Sequence, residues 1–203
     1  SGVNQIRSCK TLMVCPINMR TQLMQMISAE IRNARAKKEA RIIAKLNSLS
    51  DVSLIQKLYS AAEAGVDVQL IVRGIFCAKT EMKKLKNNMH AISIVDQYLE
   101  HARILMFHNA GKSKLYISSA DWMVRNLDHR VEAAALITDP EIKEELMDII
   151  QIQLKDNVKA RVLDNNLSNN YVLSAGKKKI RSQVETYNYL FNKIQKISET
   201  GSN

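Results

Sequence analysis

An arginine and a glycine stand directly after an apolar run in the first half of the chain. The run DVQLIV (Asp67–Val72) has the composition of a buried strand, and Arg73 and Gly74 follow it. In open α/β sheets, ligands collect beyond the carboxyl ends of strands. An arginine there presents a planar fork of donors suited to phosphate oxygens, and a glycine lets backbone approach a ligand closely. Arg73 is therefore a candidate for binding phosphate; the alternative is a surface arginine at a strand end.

A histidine and an arginine separated by one residue precede a second strand-like run. His101 and Arg103 stand at the start of ARILMFH, and residues two apart in an extended chain face the same side. A nearby cation favours the neutral imidazole, which can act as nucleophile or base, and the arginine can neutralise a phosphate beside it. The alternative is an ordinary histidine at a strand edge. The remaining histidines are expected to be structural or exposed: His90, His108 and His129.

A third polar cluster follows the strand-like run Lys114–Ile117. It begins with SSADWM at Ser118 and continues through Arg125 and Arg130 to Glu132. Hydroxyl, carboxylate and guanidinium groups at this density are typical of the floor of a polar site. A capped turn with an ion pair between Arg130 and Glu132 would explain the same residues equally well.

The periodicity of the chain predicts the elements that position these residues. Apolar residues at three- and four-residue steps predict a helix from Met19 to Lys38, and Ser50-Asp51 offers the N-cap of a helix that ends near Gly65. Strand-like runs precede and follow these helices, which is the pattern of βαβ units on a partly parallel α/β sheet. These strands are Leu12–Cys15, Ala40–Leu46 and Asp67–Val72.

The second half of the chain reads as strands with short links, followed by helices. Asn109-Ala110-Gly111 is expected to form a hairpin turn, and Pro140 opens a helix that runs to Leu154. Asp164–Asn170 is a polar loop, and Ile180–Ile197 forms a last helix. The four predicted strands are Ile92–Val95, Ala102–Phe107, Lys114–Ile117 and Val131–Ile137.

Composition narrows the classes of protein that the chain can be. Its 203 residues suffice for one well-cored domain, and its longest apolar runs are too short to span a bilayer. The start has no signal-peptide layout, and we expect the chain to be one part of a longer protein. Three cysteines without a CxxC spacing favour a reduced, cytosolic compartment, with each cysteine buried or half-buried as a small hydrophobe: Cys9, Cys15 and Cys77.

The chain is strongly basic. Its 30 Lys and Arg residues exceed its 20 Asp and Glu residues, which gives a net charge of +10. Such a surplus suits a polyanionic partner, namely nucleic acid, an anionic membrane or a chain of phosphates. Part of the charge lies between Arg32 and Lys38 and part in the run at 177–179, where a solvated helix face and a flexible end are the plainer explanations.

The segment LEHARILMFHNAGKSKLYISSADWMVRNLDHRVEAAALI (Leu99–Ile137) resembles the signature of the bacterial polyphosphate kinase family. Its core, SADWM followed by RNL and RVE, is highly specific. The resemblance covers roughly residues 10–165 in the right order. Its other matching segments are PINMR (Pro16–Arg20), KLNSLSD (Lys45–Asp51), AGV (Ala64–Val66), LIVRGI (Leu70–Ile75) and LKDNVKARVLD (Leu154–Asp164).

This resemblance implies a fold and an activity. The family transfers the γ-phosphate of ATP reversibly to polyphosphate through a phosphohistidine, with Mg²⁺, and it has four domains of which the last two are phospholipase-D-like. The chain looks like the last of these, with a mixed sheet flanked by helices on both faces. We expect this domain to occupy residues 1–165, with a polar loop and C-terminal helix at 166–203 packed on it.

The resemblance also implies roles for single residues. Arg73 matches the family's ATP-phosphate-binding arginine in its RGI motif, and His101 matches its second essential, catalytic histidine at the nucleotide site, which does not carry the phosphoryl group. No stretch matches the phosphohistidine or the magnesium-linked arginines, so the Mg²⁺ ligands are expected outside this sequence. Arg103, Arg125 and Arg130 are expected to contact ATP phosphates or polyphosphate.

The sequence departs from related patterns at two places. His101-x-Arg103 and Ser119-x-Asp121 look like the His-x-Lys and Ser-x-Asn of the phospholipase D superfamily, and both substitutions argue against direct phospholipase chemistry. The loop Phe76–Met82 lacks the family's usual cysteine-rich turn and proline-glycine, so we expect a different local shape.

The partners follow from the same resemblance. They are ATP and ADP, polyphosphate, the other domains of the complete chain and further copies in a homo-oligomer, in the cytoplasm or at the inner face of the membrane. Specific nucleic-acid binding is not expected, because aromatics make up only 5% of the residues. The alternatives are a phosphodiesterase of phospholipase D type with His101 as nucleophile, and a non-enzymatic basic module that binds polyanions.

Overall fold

The computed structural model describes residues 4–5, 9–173, 176 and 178–200, apart from the side chains at 197 and 200. Eight strands form one sheet in the order β1-β7-β6-β5-β2-β3-β4-β8. The pairs β2–β3 and β3–β4 are parallel, and the other five pairs are antiparallel. The strands are β1 Leu12–Cys15, β2 Arg41–Leu46, β3 Asp67–Val72, β4 Met89–Ile94, β5 Arg103–Phe107, β6 Lys114–Ser118, β7 Glu132–Leu136 and β8 Ala160–Val162.

The α-helices that connect and flank these strands are α1 Met19–Arg35, α2 Val52–Glu63, α3 Val124–His129, α4 Pro140–Leu154 and α5 Ser182–Thr200. The predicted helices are confirmed, but α1 ends three residues earlier than predicted, and α5 begins two residues later and ends three residues later than predicted. Lys37 adopts a left-handed φ of 58°, which a continuing α-helix cannot accommodate. Of the two predicted cap residues, Ser50 and Asp51, it is Asp51 that caps α2, because its side chain accepts from the amide of Leu54.

The helices cover both faces of the sheet. Successive side chains of a strand point to opposite faces, and in β2 both sets are buried. Ile42 and Ala44 belong to the large cluster that contains the apolar stripes of α1 and α2, whereas Ile43 packs in a second cluster with Ile150 of α4. The expected α/β fold, with a mixed sheet and helices on both faces, is therefore confirmed.

Several local predictions need correction. β8 and α3 were not predicted, and β4 begins at Met89 rather than Ile92. The predicted hairpin turn at Asn109–Gly111 is confirmed, because it links the antiparallel strands β5 and β6; it is a 3₁₀ turn in which Asn109 and Ala110 both have positive φ. Asp164–Asn170 contains no helix or strand, as predicted. The predicted boundary at residue 165 stays a prediction.

One edge of the sheet collects the strand ends that matter for function. The carboxyl ends of β2, β3 and β6 lie at this edge together with the amino ends of β5 and β7, because β5 and β7 run antiparallel to their neighbours. We call it the upper edge. It is marked by Leu46, Val72, Arg103, Ser118 and Glu132.

Candidate active site

A cleft of about 580 Å³ opens at the upper edge. The strand ends and the turns beyond them supply its walls, so residues far apart in sequence meet there. The cleft brings together every residue that the sequence singled out for phosphate binding: Arg73, His101, Arg103, Arg125 and Arg130. Their roles stay predictions.

Arg73 is held by the end of the neighbouring parallel strand. Its Nε donates to Oδ1 of Asn47 at 2.5 Å, and the amide of Gly74 donates to the carbonyl oxygen of Asn47 at 2.8 Å. A Cβ added to Gly74 would lie 2.8 Å from that carbonyl oxygen. The absence of a side chain at Gly74 therefore allows its backbone to approach the backbone of Asn47 closely. This contact explains the glycine without the predicted approach of backbone to a ligand.

A buried ion pair forms the floor of the cleft. Arg103 Nη2 donates to Asp121 Oδ2 at 3.0 Å, and the two side chains are only 11% and 10% exposed. Asp121 Oδ1 also accepts from the amides of Asn47 at 2.8 Å and Ser48 at 3.1 Å. Arg103 Nη1 lies 3.2 Å from Nδ1 of His101, so the predicted meeting of these two side chains is confirmed. The guanidinium of Arg103 is thus engaged with protein groups in this structure.

A second carboxylate, that of Glu132, connects the residues of another wall of the cleft. Glu132 accepts hydrogen bonds from Ser119 Oγ and from Nδ2 of Asn126, the latter at 3.0 Å. Arg130 Nη1 lies 3.9 Å from Glu132 Oε1, which is a loose ion pair. Arg125 and Arg130 are both exposed. Their guanidinium groups are therefore accessible to an anion entering the cleft.

The turns that carry these residues are tied to one another beyond the strands. Leu49 forms parallel bridges to Phe76 and to Trp122, and Trp122 is fully buried. The amide of Leu49 donates to the carbonyl of Ile75 at 2.8 Å, and the amide of Cys77 donates back to Leu49 at 3.0 Å. These bonds form isolated bridges at Leu49, three residues beyond the end of β2. That the loop Phe76–Met82 differs in shape from the family's usual loop stays a prediction.

The sequence analysis missed Asn47. It included Asp121 in the polar cluster typical of a site floor, but it did not pair Asp121 with Arg103. Asn47 directly follows β2, so the rule that identified Arg73 would have found it too. The other histidines lie elsewhere: His90 and His129 are exposed, and Nδ1 of His108 lies 3.1 Å from the carbonyl of Glu39.

The cysteines only partly match the expectation. Cys15 is buried, and burial raises the pKa of its thiol to about 11. Cys9 is half-buried. Cys77 is exposed, so the expectation of a buried or half-buried hydrophobe is wrong there, because its loop crosses the open upper edge.

The cleft does not offer a magnesium site. Mg²⁺ favours carboxylate and water oxygens in octahedral geometry. In the described part of the chain no three His, Cys, Asp or Glu side chains gather to hold a metal ion. Asp121 and Glu132 are already occupied by amide, guanidinium, hydroxyl and carboxamide donors. The described residues therefore do not fit Mg²⁺.

Among the residues described, no helix combines the length and the apolar character needed to cross a bilayer.

Known proteins match most of the chain. The family model for polyphosphate kinase C-terminal domain 2 matches residues 12–183. The polyphosphate kinase of Vibrio parahaemolyticus is 46% identical over 181 residues, which are 89% of this chain and 26% of that protein. The polyphosphate kinase of Escherichia coli K12 is 45% identical over 179 residues, 88% of this chain and 26% of that protein.

Solved structures agree with the sequence relatives. The crystal structure of polyphosphate kinase from Porphyromonas gingivalis aligns with a TM-score of 0.89 at 42% identity, over 92% of this chain and 29% of that one. Nuc from Salmonella typhimurium, a phospholipase D family member, aligns with a TM-score of 0.54 at 12% identity, over 76% of this chain and 99% of that one. The latter match shows the phospholipase-D-like fold alone.

The match to the family model and the identity to its members agree on one family, although the chain spans only about a quarter of the length of the curated relatives it matches. The chain belongs to the polyphosphate kinase family.

Proposed function

We propose that this chain supplies part of the phosphate-binding site with which a complete polyphosphate kinase transfers the γ-phosphate of ATP to polyphosphate, reversibly. One observation carries the proposal. Arg73, Arg125 and Arg130 converge with His101 on a single cleft, although they come from different segments of the chain. Phosphoryl transfer depends chiefly on positioning and on neutralising phosphate charge, which such a cleft supplies.

The surroundings of the arginines suit them to different phosphate contacts. Arg73 has its Nε committed to Asn47, so the fork of its two terminal nitrogens is oriented in advance and can meet a phosphate bidentately. Arg125 and Arg130 lie exposed at the wall and would contact further phosphates of ATP or of the chain product. Several cations along one cleft suit a substrate that carries a charge on every phosphate.

The rest of the reaction is assigned to parts of the protein outside this chain. We propose that a phosphohistidine elsewhere in the complete protein carries the transferred group, and that Mg²⁺ is bound there as well. His101 would then serve the nucleotide's phosphates without becoming phosphorylated. On this view the chain is inactive alone and acts together with its other domains, in a homo-oligomer in the cytoplasm or at the inner face of the membrane.

The first test is calorimetric titration of the chain with tripolyphosphate and with ATP–Mg²⁺. Loss of one charge-assisted contact costs about 1.5–3 kcal/mol, so Arg73→Ala is expected to weaken binding roughly 10- to 100-fold. Arg35→Ala is the matched control, since it removes the same charge from the exposed last turn of α1.

The titration, together with assays for ATP consumption and phosphodiester hydrolysis, separates the alternatives. Equal weakening by both variants, or by neither, would leave only a non-specific basic surface. Consumption of ATP by the chain alone would show that no further histidine is required. Hydrolysis of a phosphodiester such as bis-p-nitrophenyl phosphate, abolished by His101→Ala, would favour the phosphodiesterase.

A further inference from the structure

We infer that the Arg103–Asp121 ion pair fixes His101 as the neutral tautomer whose proton is on Nε2, so that His101 meets phosphate as a hydrogen-bond donor and not as a nucleophile. Arg103 and Asp121 are then positioning residues. The part that concerns phosphate rests on the proposed function, whereas the tautomer does not.

Asp121 is anchored at the floor of the cleft by four hydrogen bonds. Its Oδ1 accepts from the amides of Asn47 and Ser48, and from Arg103 Nε at 3.3 Å, while Oδ2 accepts from Arg103 Nη2 at 3.0 Å. Two of these donors are main-chain groups that directly follow β2. The carboxylate therefore has little freedom to move, and it orients the planar guanidinium through two nitrogens.

The third nitrogen of the guanidinium is directed at His101. Arg103 Nη1 lies 3.2 Å from Nδ1 of the ring and 3.2 Å from the carbonyl oxygen of the same residue. Nδ2 of Asn47 also lies within 3.4 Å of that carbonyl oxygen. Both the ring and its backbone are thereby held by groups that belong to the floor of the cleft.

The donor and acceptor groups of Arg103 and His101 determine which ring nitrogen of His101 carries the proton. A guanidinium has N–H donors and no acceptor, so Nδ1 must be the acceptor in this contact. A neutral imidazole that accepts at Nδ1 carries its proton on Nε2.

The tautomer decides what the ring can do. Nucleophilic attack on phosphorus needs a free lone pair, and here the lone pair of Nδ1 is engaged while Nε2 is protonated. A nucleophilic Nε2 would need an acceptor, such as a carboxylate, at Nδ1. The observed arrangement is the opposite one, and it suits donation from Nε2 to a phosphate oxygen.

The test is a long-range ¹H–¹⁵N correlation spectrum of the chain labelled at histidine, recorded at neutral pH without ligand. The expected result for His101 is a pyrrole-type shift at Nε2 and a pyridine-type shift at Nδ1. A pyridine-type Nε2 or a doubly protonated ring would overturn the inference.

Two variants separate positioning from general stability. Arg103→Met removes the donor at Nδ1 and is expected to give a mixture of tautomers. Arg125→Met removes the same charge from the same cleft without touching the ring, and it should leave the wild-type pattern. Loss of the pattern in both variants, or in neither, would contradict a specific role for Arg103. If Arg103→Met does not fold, the wild-type spectrum still decides the tautomer of His101.

Tripolyphosphate tests the second half of the inference. Its addition should shift the signals of Nε2 and its proton while Nδ1 stays pyridine-type. Binding that leaves Nε2 unchanged would overturn the donor role. A failure of tripolyphosphate to bind would count against the proposed function instead, and it would leave the tautomer result standing.

Discussion

At Gly74 the missing side chain decides how closely two strand ends approach. An alanine Cβ would lie 2.8 Å from the Asn47 carbonyl oxygen and 3.3 Å from Ser48 Oγ. Overpacking of this kind costs typically about 1–3 kcal/mol. We expect Gly74→Ala to lower the free energy of unfolding by that amount and to weaken tripolyphosphate binding, because Asn47 would be displaced from Arg73.

Urea unfolding and calorimetry would measure both effects. The double variant Ser48→Ala, Gly74→Ala is the control. It removes the contact with the flexible hydroxyl but keeps the clash with the backbone oxygen, so we expect no rescue. Full recovery in the double variant would show that Ser48, and not Asn47, limits the approach.

Residues of the site could be predicted from the sequence where their position next to a strand end was enough to place them there. Arg73 and His101 adjoin apolar runs, so a general rule about sheets identified them. The partner of Arg103 was not predictable, because it depends on register. Arg103 pairs with Ser118 across β5 and β6, and this register carries Asp121 past the strand end and under the guanidinium.

Among the elements, the junction of α4, β8 and α5 depends on one buried carboxylate. Asp156 accepts from the amides of Lys159 at 2.7 Å, Ala160 at 2.9 Å and Ser182 at 2.7 Å. Burial by itself raises the pKa of Asp156, but these hydrogen bonds outweigh it and hold the pKa below its ordinary value. The charged form is therefore the one that the fold stabilises.

The stability of the chain should accordingly depend on Asp156 in acid. Since the folded-state pKa is depressed, its contribution is present above the unfolded-state value of about 3.9 and is lost as the pH falls through the folded value. Asp156→Asn places an NH₂ group or a weaker acceptor against these amides, which costs about 1–3 kcal/mol at neutral pH.

Urea unfolding between pH 7 and pH 3 would test this, with Glu144→Gln as an exposed control on α4. We expect the gap between wild type and Asp156→Asn to narrow as the pH falls. A gap independent of pH would show that the charge of Asp156 contributes nothing.

A second hydrogen-bond network ties α5 to the segment that carries His101. Lys45 of β2 donates to Glu100, and Gln183 of α5 donates to the other oxygen of Glu100 at 3.0 Å. Gln183 also accepts from the amide of Tyr98 at 3.0 Å and donates to its carbonyl at 2.8 Å. The position of His101 therefore depends partly on a helix that begins some eighty residues later.

We expect Gln183→Leu to speed hydrogen exchange at the Tyr98 amide, because its acceptor is lost. Gln195→Leu, at an exposed position of the same helix, should leave that rate unchanged. Unaltered exchange in Gln183→Leu would mean that the segment is held by Lys45 and Glu100 alone.

Long periodic elements were predictable and short ones were not. α2 and α4 have clear apolar spacing and an aspartate cap, so both ends could be located. β8 has three residues, too few to show alternation, and it forms only because Ile94 and its neighbours in β4 offer a free edge. α3 is six residues long and lies within a polar cluster, where composition favours a turn.

For the whole molecule, the fold class could be predicted from the order of strands and helices. The cleft could not be predicted without knowing how the strands pair in the sheet. β2 pairs in parallel with β3 and antiparallel with β5, which joins the first half of the chain to the second. Nothing in the local sequence specifies that pairing. It brings Arg73 from one half to His101 from the other.

An anion that needs both halves should stabilise the whole fold. A ligand that binds only the native state adds about 2.7 kcal/mol at one hundred times its dissociation constant. We expect tripolyphosphate to raise the midpoint of thermal unfolding in wild type and in Arg35→Ala, and to raise it much less in Arg73→Ala. Equal shifts in all three proteins would indicate diffuse attraction to the net positive charge.

The bridges made by Leu49 have a consequence for the energetics of recognition. Because they tie the turn after β2 to Phe76 and Trp122, the loops of the cleft are ordered before any ligand arrives. A preorganised site loses little conformational entropy on binding. Free and bound forms should then superpose within about 1 Å at these backbone positions, and changes in affinity among variants should appear mainly in the rate of dissociation.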